Sequence, residues 1–207
     1  LLTNSVGTKV ILDFCKACNA KFMLASLVDV YKGLISPAGL DHYYGTSKEV
    51  ENKYTLNEAK RYAEALTWEY YKEFQSDVRI ARFSEIYGPR MSFEASGSLG
   101  KAIKNTLENT DIVIYGDGVE KENYIYISDA VSGLVKGMFS DNTSGEIFTF
   151  ISEEYSTVLE TAYLLKNLAS SEIEVTFKPK TTSYAGVDKI TLDSAALKKI
   201  KWSQKVY

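Results

Sequence analysis

Apolar positions in "SVGTKVILDFCKA" (residues 5–17) recur with a helical period, among them Val10, Ile11 and Phe14. The segment that follows, "KFMLASLV", is a short continuous apolar run, the pattern of a strand buried on both faces. A long helical pattern then covers at least residues 57–75. "DVRIARFS" reads as a second strand, and "EIYGPRM" as a turn punctuated by Gly88 and Pro89. Helix, strand, helix, strand in this order implies right-handed crossovers and a parallel sheet, hence an α/β fold.

After Met91 the elements shorten. A helix is expected near residues 98–107, and "DIVIYGDG" is an apolar strand closed by a Gly-Asp-Gly turn. "NYIYIS" alternates into a helix with Ser128 or Asp129 placed to cap it. "GEIFTFIS", the helix "STVLETAYLLKNLA" and the strand "IEVTFK" come next, and a last helix spans about 194–199. These elements predict a smaller mixed layer beside the sheet, with the boundary near residue 92 and residues 124–139 able to return to the main domain.

Composition narrows the function classes. With 207 residues and 45% hydrophobic content, the chain has the mass for a real core without disulfide staples. Its three prolines and the absence of any Ser/Gly tract predict no linker. A formal charge of −3 with intermixed Lys and Glu offers no basic stripe to track a phosphate backbone, so nucleic acid is not the expected partner. No run approaches the roughly 18 apolar residues of a membrane span, and no leader pattern is visible, so a cytoplasmic protein is expected. Cys15 and Cys18 form a C-x-x-C, but His42 is the single histidine and no second cysteine pair exists. Four soft ligands therefore cannot be assembled within one chain, and the thiols are expected on the first helix.

The stretch "DHYYGTSKEVEN" places Tyr44 four residues before Lys48. On a helix that spacing puts both side chains on one face, about 40° apart, which raises the question of an acid/base pair.

A wider set of motifs carries a family likeness. "NSVGT" ahead of a helix, "S-x-x-D-V-Y" closing a strand (Ser26 to Tyr31), "AKRYAE", "RIARFSEIYGPRM", "IYGDG", "YIYISDAVSGL" and the closing "LDSAALKKIKW" occur in order along nearly the whole chain. Together they resemble the extended short-chain dehydrogenase/reductase family, especially its nucleotide-sugar epimerases, dehydratases and UDP-glucuronate decarboxylases. The resemblance implies a Rossmann-like doubly wound parallel sheet, incomplete over residues 1–92, with a smaller mixed α/β substrate-binding region over 93–207. It also implies NAD or NADP as cofactor and a nucleotide-sugar substrate. A homodimer is implied too, formed through the lysine-bearing helix and its neighbour. Such proteins begin with a strand, a G-x-x-G-x-x-G turn and a helix that holds the pyrophosphate. That spacing is absent from this sequence, and the likeness starts abruptly at Asn4, so a longer parent protein is expected.

The same resemblance assigns roles by position. About 27 residues typically separate the family's lysine from the Tyr of its Y-G-P motif, and Lys60 to Tyr87 spans that distance, whereas Lys48 lies twelve residues further back. Twelve helical residues amount to about 18 Å, so Lys60 takes the lysine role and the Tyr44–Lys48 pair is displaced from it. Four before Lys60 stands Leu56, which has no proton to exchange. Tyr54 lies six before, about 120° away around the helix.

In the first strand, Leu27 occupies the position of the family's Ser/Thr hydroxyl. Ser26 points to the other side of that strand, and Asp29 matches an acidic position that acts as acid in dehydratases. The implied catalytic set is Lys60 and Asp29, with Tyr54 and Tyr44 as alternative proton carriers. The cofactor set is Asn4, Ser26, Lys60 and Ser84, and the substrate set is Glu85, Tyr87, Arg90 and Lys189. Glu85 stands where the family has Asn, and Glu122 where it has a diphosphate-pairing Arg, which turns attraction into repulsion. Arg82 is a further cation near the expected cleft. Two readings follow. One is a divergent or catalytically reduced nucleotide-sugar enzyme; the other is a non-catalytic relative that binds a dinucleotide or a partner protein.

Overall fold

A computed structural model of the chain describes residues 2–31, 52–94, 96–169, 172–179 and 194–206. In chain order the elements are α1 (Val6–Cys18), β1 (Phe22–Leu27), α2 (Asn52–Phe74), β2 (Val78–Phe83), β3 (Glu85–Tyr87), α3 (Gly97–Leu107), β4 (Ile112–Tyr115) and β5 (Lys121–Glu122). They continue with β6 (Tyr124–Tyr126), α4 (Ile127–Phe139), β7 (Ile147–Phe150), β8 (Ser156–Thr157), α5 (Val158–Ala169), β9 (Val175–Lys178) and α6 (Ser194–Lys199). Short 3₁₀ turns cover Leu2–Asn4 and Val28–Tyr31. The chain divides into two compact units: Leu1–Ser84 with Ser128–Phe150 and Ile190–Lys205, and Glu85–Ile127 with Ile151–Lys189 and Val206–Tyr207.

Unit 1 is built on the sheet β1-β2-β7, parallel throughout, with Ser26 beside Arg82 and Phe83 beside both Leu27 and Phe150. β2 is covered on both faces, with Val78, Ile80, Ala81 and Phe83 buried, whereas β1 buries Leu24 and Ser26 toward α2 and leaves Ala25 on its other side exposed, so the strand expected to be buried on both faces is fully covered on one. On one face Leu24 and Ile80 pack with Ala63 of α2, and lower down Val78 packs with Leu12 of α1 and Tyr70 of α2. Helix α1 stops at Asn19, whose left-handed conformation (φ 52°) lets its N–H reach back to the carbonyls of Cys15 and Lys16.

On the other face, Phe150 stacks between Phe83 and Phe148, with centroids 5.1 and 5.9 Å away, and Trp202 meets it edge-on at 5.1 Å. Helix α4 lies against these rings through Gly133, where a Cβ would fall 2.5 Å from the Phe150 ring. Ser128 and Asp129 sit inside the first turn of α4 rather than capping it from outside. The buried Asp129 carboxylate accepts the Lys205 N–H at 3.0 Å, and its backbone carbonyl accepts the Trp202 indole N–H at 3.0 Å. The segment after α6 is thereby pinned to α4.

Among the described residues, unit 2 contains three two-stranded ladders: β3-β6 and β4-β9, both parallel, and the antiparallel β5-β8. Its core gathers Ile112, Ile114, Ala162 and Ile173 between β4 and α5. The Asn123 side chain cross-links two segments, donating to the carbonyls of Ser152 (2.8 Å) and Glu154 (2.9 Å) and accepting the Ser152 N–H (2.9 Å). Glu85–Tyr87, expected as part of a turn, is instead a strand paired with Tyr124–Tyr126, Glu85 lying beside Tyr124. The division between units therefore falls between Ser84 and Glu85, ahead of the boundary expected near 92, and the returning segment is Ser128–Phe150.

Candidate functional site

Helix α2 runs antiparallel to the strands it covers. Tyr70 packs with Val78 near the start of β2, and Ala63 packs with Leu24 and Ile80 farther along. Lys60, one turn nearer the helix start, donates from Nζ to the Ala25 carbonyl of β1 at 2.7 Å. Its N-terminal half thus overhangs the C-terminal ends of the strands, where open α/β sheets bind ligands. Burial pulls the Lys60 amine below the ordinary lysine range, with the Glu64 carboxylate opposing it.

Glu64 is held by Arg82 of β2. The guanidinium Nε lies 3.1 Å from both carboxylate oxygens, and Nη2 lies 2.5 Å from Oε2. Because strand side chains alternate, Ser26 shares the α2 side of β1 with Leu24, and Arg82 shares the α2 side of β2 with Ile80. Arg82 was read as a cation near the cleft, and the structure gives it this carboxylate.

Ser26 Oγ, Asn57 Oδ1 and Ser84 Oγ, on the strand-end side of this unit, are buried without a hydrogen-bond partner among the described residues, and Ser76 Oγ, in the segment ahead of β2 at the opposite end of the strands, is another such oxygen. Ser84 lies immediately after β2, and its N–H donates to the Phe150 carbonyl at 3.2 Å. Asn57 was not foreseen, although it stands three residues before Lys60 and so shares its helix face. Asp29 sits in the Val28–Tyr31 turn at the end of β1, and α2 tethers that turn through Arg61 Nε, which donates to the Val30 carbonyl at 2.9 Å. Asn4 ends the turn that leads into α1, its carbonyl accepting the Thr8 hydroxyl at 3.1 Å.

Leu56 is 42% exposed on α2, four residues before Lys60. The helix is already formed at Asn52, so Tyr54 lies on regular helical backbone; its side chain lies outside the described residues. Tyr44, Lys48 and Lys189 also lie outside the described residues.

The expected substrate residues Glu85, Tyr87 and Arg90 all belong to unit 2. The Glu85 carboxylate rests over Gly97, the first residue of α3, which has φ 53°; a Cβ there would stand 3.2 Å from Oε1. Tyr87 meets Tyr126 edge-on at 5.3 Å. Arg90 is exposed, with φ 69°. Burial pushes the Tyr124 phenol above the ordinary tyrosine range, and the carboxylates of Glu122 and Glu85 push it the same way.

In unit 1 the geometry thus offers one ammonium, two hydroxyls and an amide at the strand ends. That donor and acceptor set suits a ligand rich in hydroxyl or amide groups.

The NAD dependent epimerase/dehydratase family model matches residues 1–149, and the chain belongs to that family. It is 31% identical over 180 residues to UDP-glucuronic acid decarboxylase 1 of Danio rerio, covering 87% of this chain and 43% of that protein. With UDP-glucuronic acid decarboxylase 1 of Arabidopsis thaliana the identity is 29% over 204 residues, covering 99% of this chain and 46% of the relative. The chain thus spans less than half the length of these two relatives. Among solved structures it resembles Pal from Bacillus thuringiensis (TM-score 0.81, 21% identity, 99% of this chain and 64% of that one). It also resembles the UDP-glucuronic acid 4-epimerase of Bacillus cereus in complex with UDP-glucuronic acid and NAD (TM-score 0.78, 22% identity, 100% of this chain and 64% of that one). At these identities the structural likeness speaks for the fold.

Proposed function

We propose that the chain belongs to an NAD(P)-dependent protein that binds a nucleotide-activated sugar and has divergent or reduced catalysis. The observation that carries this reading is Lys60, its amine fixed to the Ala25 carbonyl at 2.7 Å among buried, unpartnered oxygens at the strand ends. The residues present fit a dinucleotide at its ribose end. Lys60 and Ser26 would hold ribose hydroxyls, Ser84 closes the strand-end side, and Asn4 stands at the start of α1. When bound, the nicotinamide supplies hydride transfer. Lys60 orients that ligand and keeps a positive charge beside it. Asp29 is the carboxylate placed at the end of β1 to hold or release a proton, with Tyr54 and Tyr44 as the alternative carriers. On the substrate side, Glu85, Tyr87, Arg90 and Lys189 would be the contacts, while Glu122 opposes a diphosphate.

A second reading, a non-catalytic relative that binds a dinucleotide or a partner protein, is favoured by Leu56, which leaves no exchangeable proton four residues before Lys60. Either reading includes a homodimer. Val6, Val10 and Phe14 form an exposed apolar stripe on α1, and Tyr62 and Trp68 are exposed on neighbouring α2.

The test uses the full-length protein. Calorimetric titration should detect NAD(H), and coupled assays with UDP-glucuronate, UDP-glucose and dTDP-glucose should detect little turnover. Lys60→Ala should weaken NAD(H) binding more than Lys48→Ala. The opposite ranking would overturn the assignment of Lys60, and ordinary epimerisation or dehydration rates would overturn reduced catalysis.

A further inference from the structure

Asn57 is 4% exposed, and its side-chain oxygen has no partner among the described residues. A buried amide in a helix interior ordinarily meets a backbone or side-chain group, and an orphan in a native structure calls for an explanation. Its place in the fold supplies one. Moving from Tyr70 through Ala63 to Lys60, α2 climbs from the start of the strands to Ala25 near the end of β1. Three residues further, about 4.5 Å along the axis, Asn57 stands level with the strand ends on the Lys60 face.

Ser26 and Ser84, both 6% exposed, each carry a further oxygen without a partner among the described residues. Ser26 follows Ala25 on β1, and Ser84 continues beyond Phe83, so strand alternation turns both toward α2. Three separate segments, from β1, α2 and the end of β2, therefore each leave a buried polar atom open in the same region. The unit's further orphan, Ser76 Oγ, precedes β2 at the opposite end of the strands and stands apart from these three.

We infer that Asn57 is a ligand-contacting residue, whose amide both donates to and accepts from a hydroxyl or carboxamide of the molecule that Lys60 holds. This rests on the proposed dinucleotide reading and deepens it. Unlike a phenol, an amide exchanges no proton at neutral pH, so Asn57 recognises and positions without acid or base chemistry. On the α2 side the site then pairs the Lys60 charge with a neutral hydrogen-bonding group one turn away.

The experiment compares wild type, Asn57→Ala and Asn57→Leu in the full-length protein, by calorimetric titration with NAD⁺ and NADH and by thermal unfolding without ligand. The expected result is an affinity for NAD(H) reduced about tenfold, equivalent to about 1.4 kcal/mol, in both variants. Unfolding temperatures without ligand should be unchanged or raised, because the side-chain oxygen has no hydrogen bond to lose among the described residues. Affinity equal to wild type overturns the inference, as does a lowered unfolding temperature in both variants, the signature of a purely structural amide. If wild type itself binds neither form of the dinucleotide, the proposed function fails, and this inference with it.

Discussion

Replacing Glu64 with Gln removes one charge from the Glu64–Arg82 pair while keeping its shape. The two side chains are 9% and 16% exposed, so water screens little of their attraction. Breaking a fully buried pair by removing one partner costs about 3–5 kcal/mol, because the surviving charge keeps its desolvation penalty. Gln retains one carbonyl oxygen for the guanidinium, and a hydrogen bond to a charged group is itself worth about 1.5–3 kcal/mol, so part of the loss is recovered. The expected destabilisation is about 2 kcal/mol, which for a chain of this size lowers Tm by roughly 4–8 °C. Urea denaturation followed by far-ultraviolet circular dichroism measures it. A companion Glu64→Met/Arg82→Met variant removes both charges and should recover most of the stability. A Glu64→Gln loss below about 0.5 kcal/mol, the range of ordinary surface substitutions, would refute the claim that this pair holds α2 to β2.

Two further outcomes follow from the site. Leu56→Tyr restores a phenol four residues before Lys60 at a position with room for it, so stability should stay within about 0.5 kcal/mol of wild type. If the missing proton carrier limits the reaction, turnover of UDP-glucuronate should rise at least about a hundredfold, the lower end of general acid–base contributions; a variant that binds NAD(H) and stays inactive would place the defect elsewhere. In unit 2, the raised proton affinity of Tyr124 means that the folded state keeps a proton the unfolded chain loses near pH 10. That stability is fully present below about pH 10 and is lost as pH rises toward the folded value, so Tyr124→Phe should show a shallower alkaline loss in pH-dependent urea unfolding than wild type.

The strands of unit 1 were legible in the sequence from the apolar run "KFMLASLV" and from the apolar positions of "DVRIARFS", but the exposure of Ala25 was not, because a run apolar at every position does not show which side lacks a covering element. Lys60 was reached through the family's spacing to Tyr87, one helix and one strand, and its role belongs to the proposed function. Glu85–Tyr87 was not, because three residues ahead of a Gly-Pro turn are too few to establish a period, and their pairing depends on Tyr124–Tyr126 far along the chain. The Glu64–Arg82 pair escaped for a related reason. It depends on which turn of α2 lies over which residue of β2, a register that composition does not carry. Asn57, the proposed contact, shares the helix face of Lys60, but an amide three residues before a lysine carries no motif that singles it out.

Trp202 sits edge-on to Phe150 with its indole N–H on Asp129, and Trp68 lies on α2. These are the chain's two tryptophans, and both belong to unit 1. Intrinsic tryptophan emission will therefore follow the unit that carries Lys60 and be nearly blind to the one that carries Glu85 and Tyr124. A single smooth fluorescence transition would accordingly describe one unit, and the other must be watched through its tyrosines.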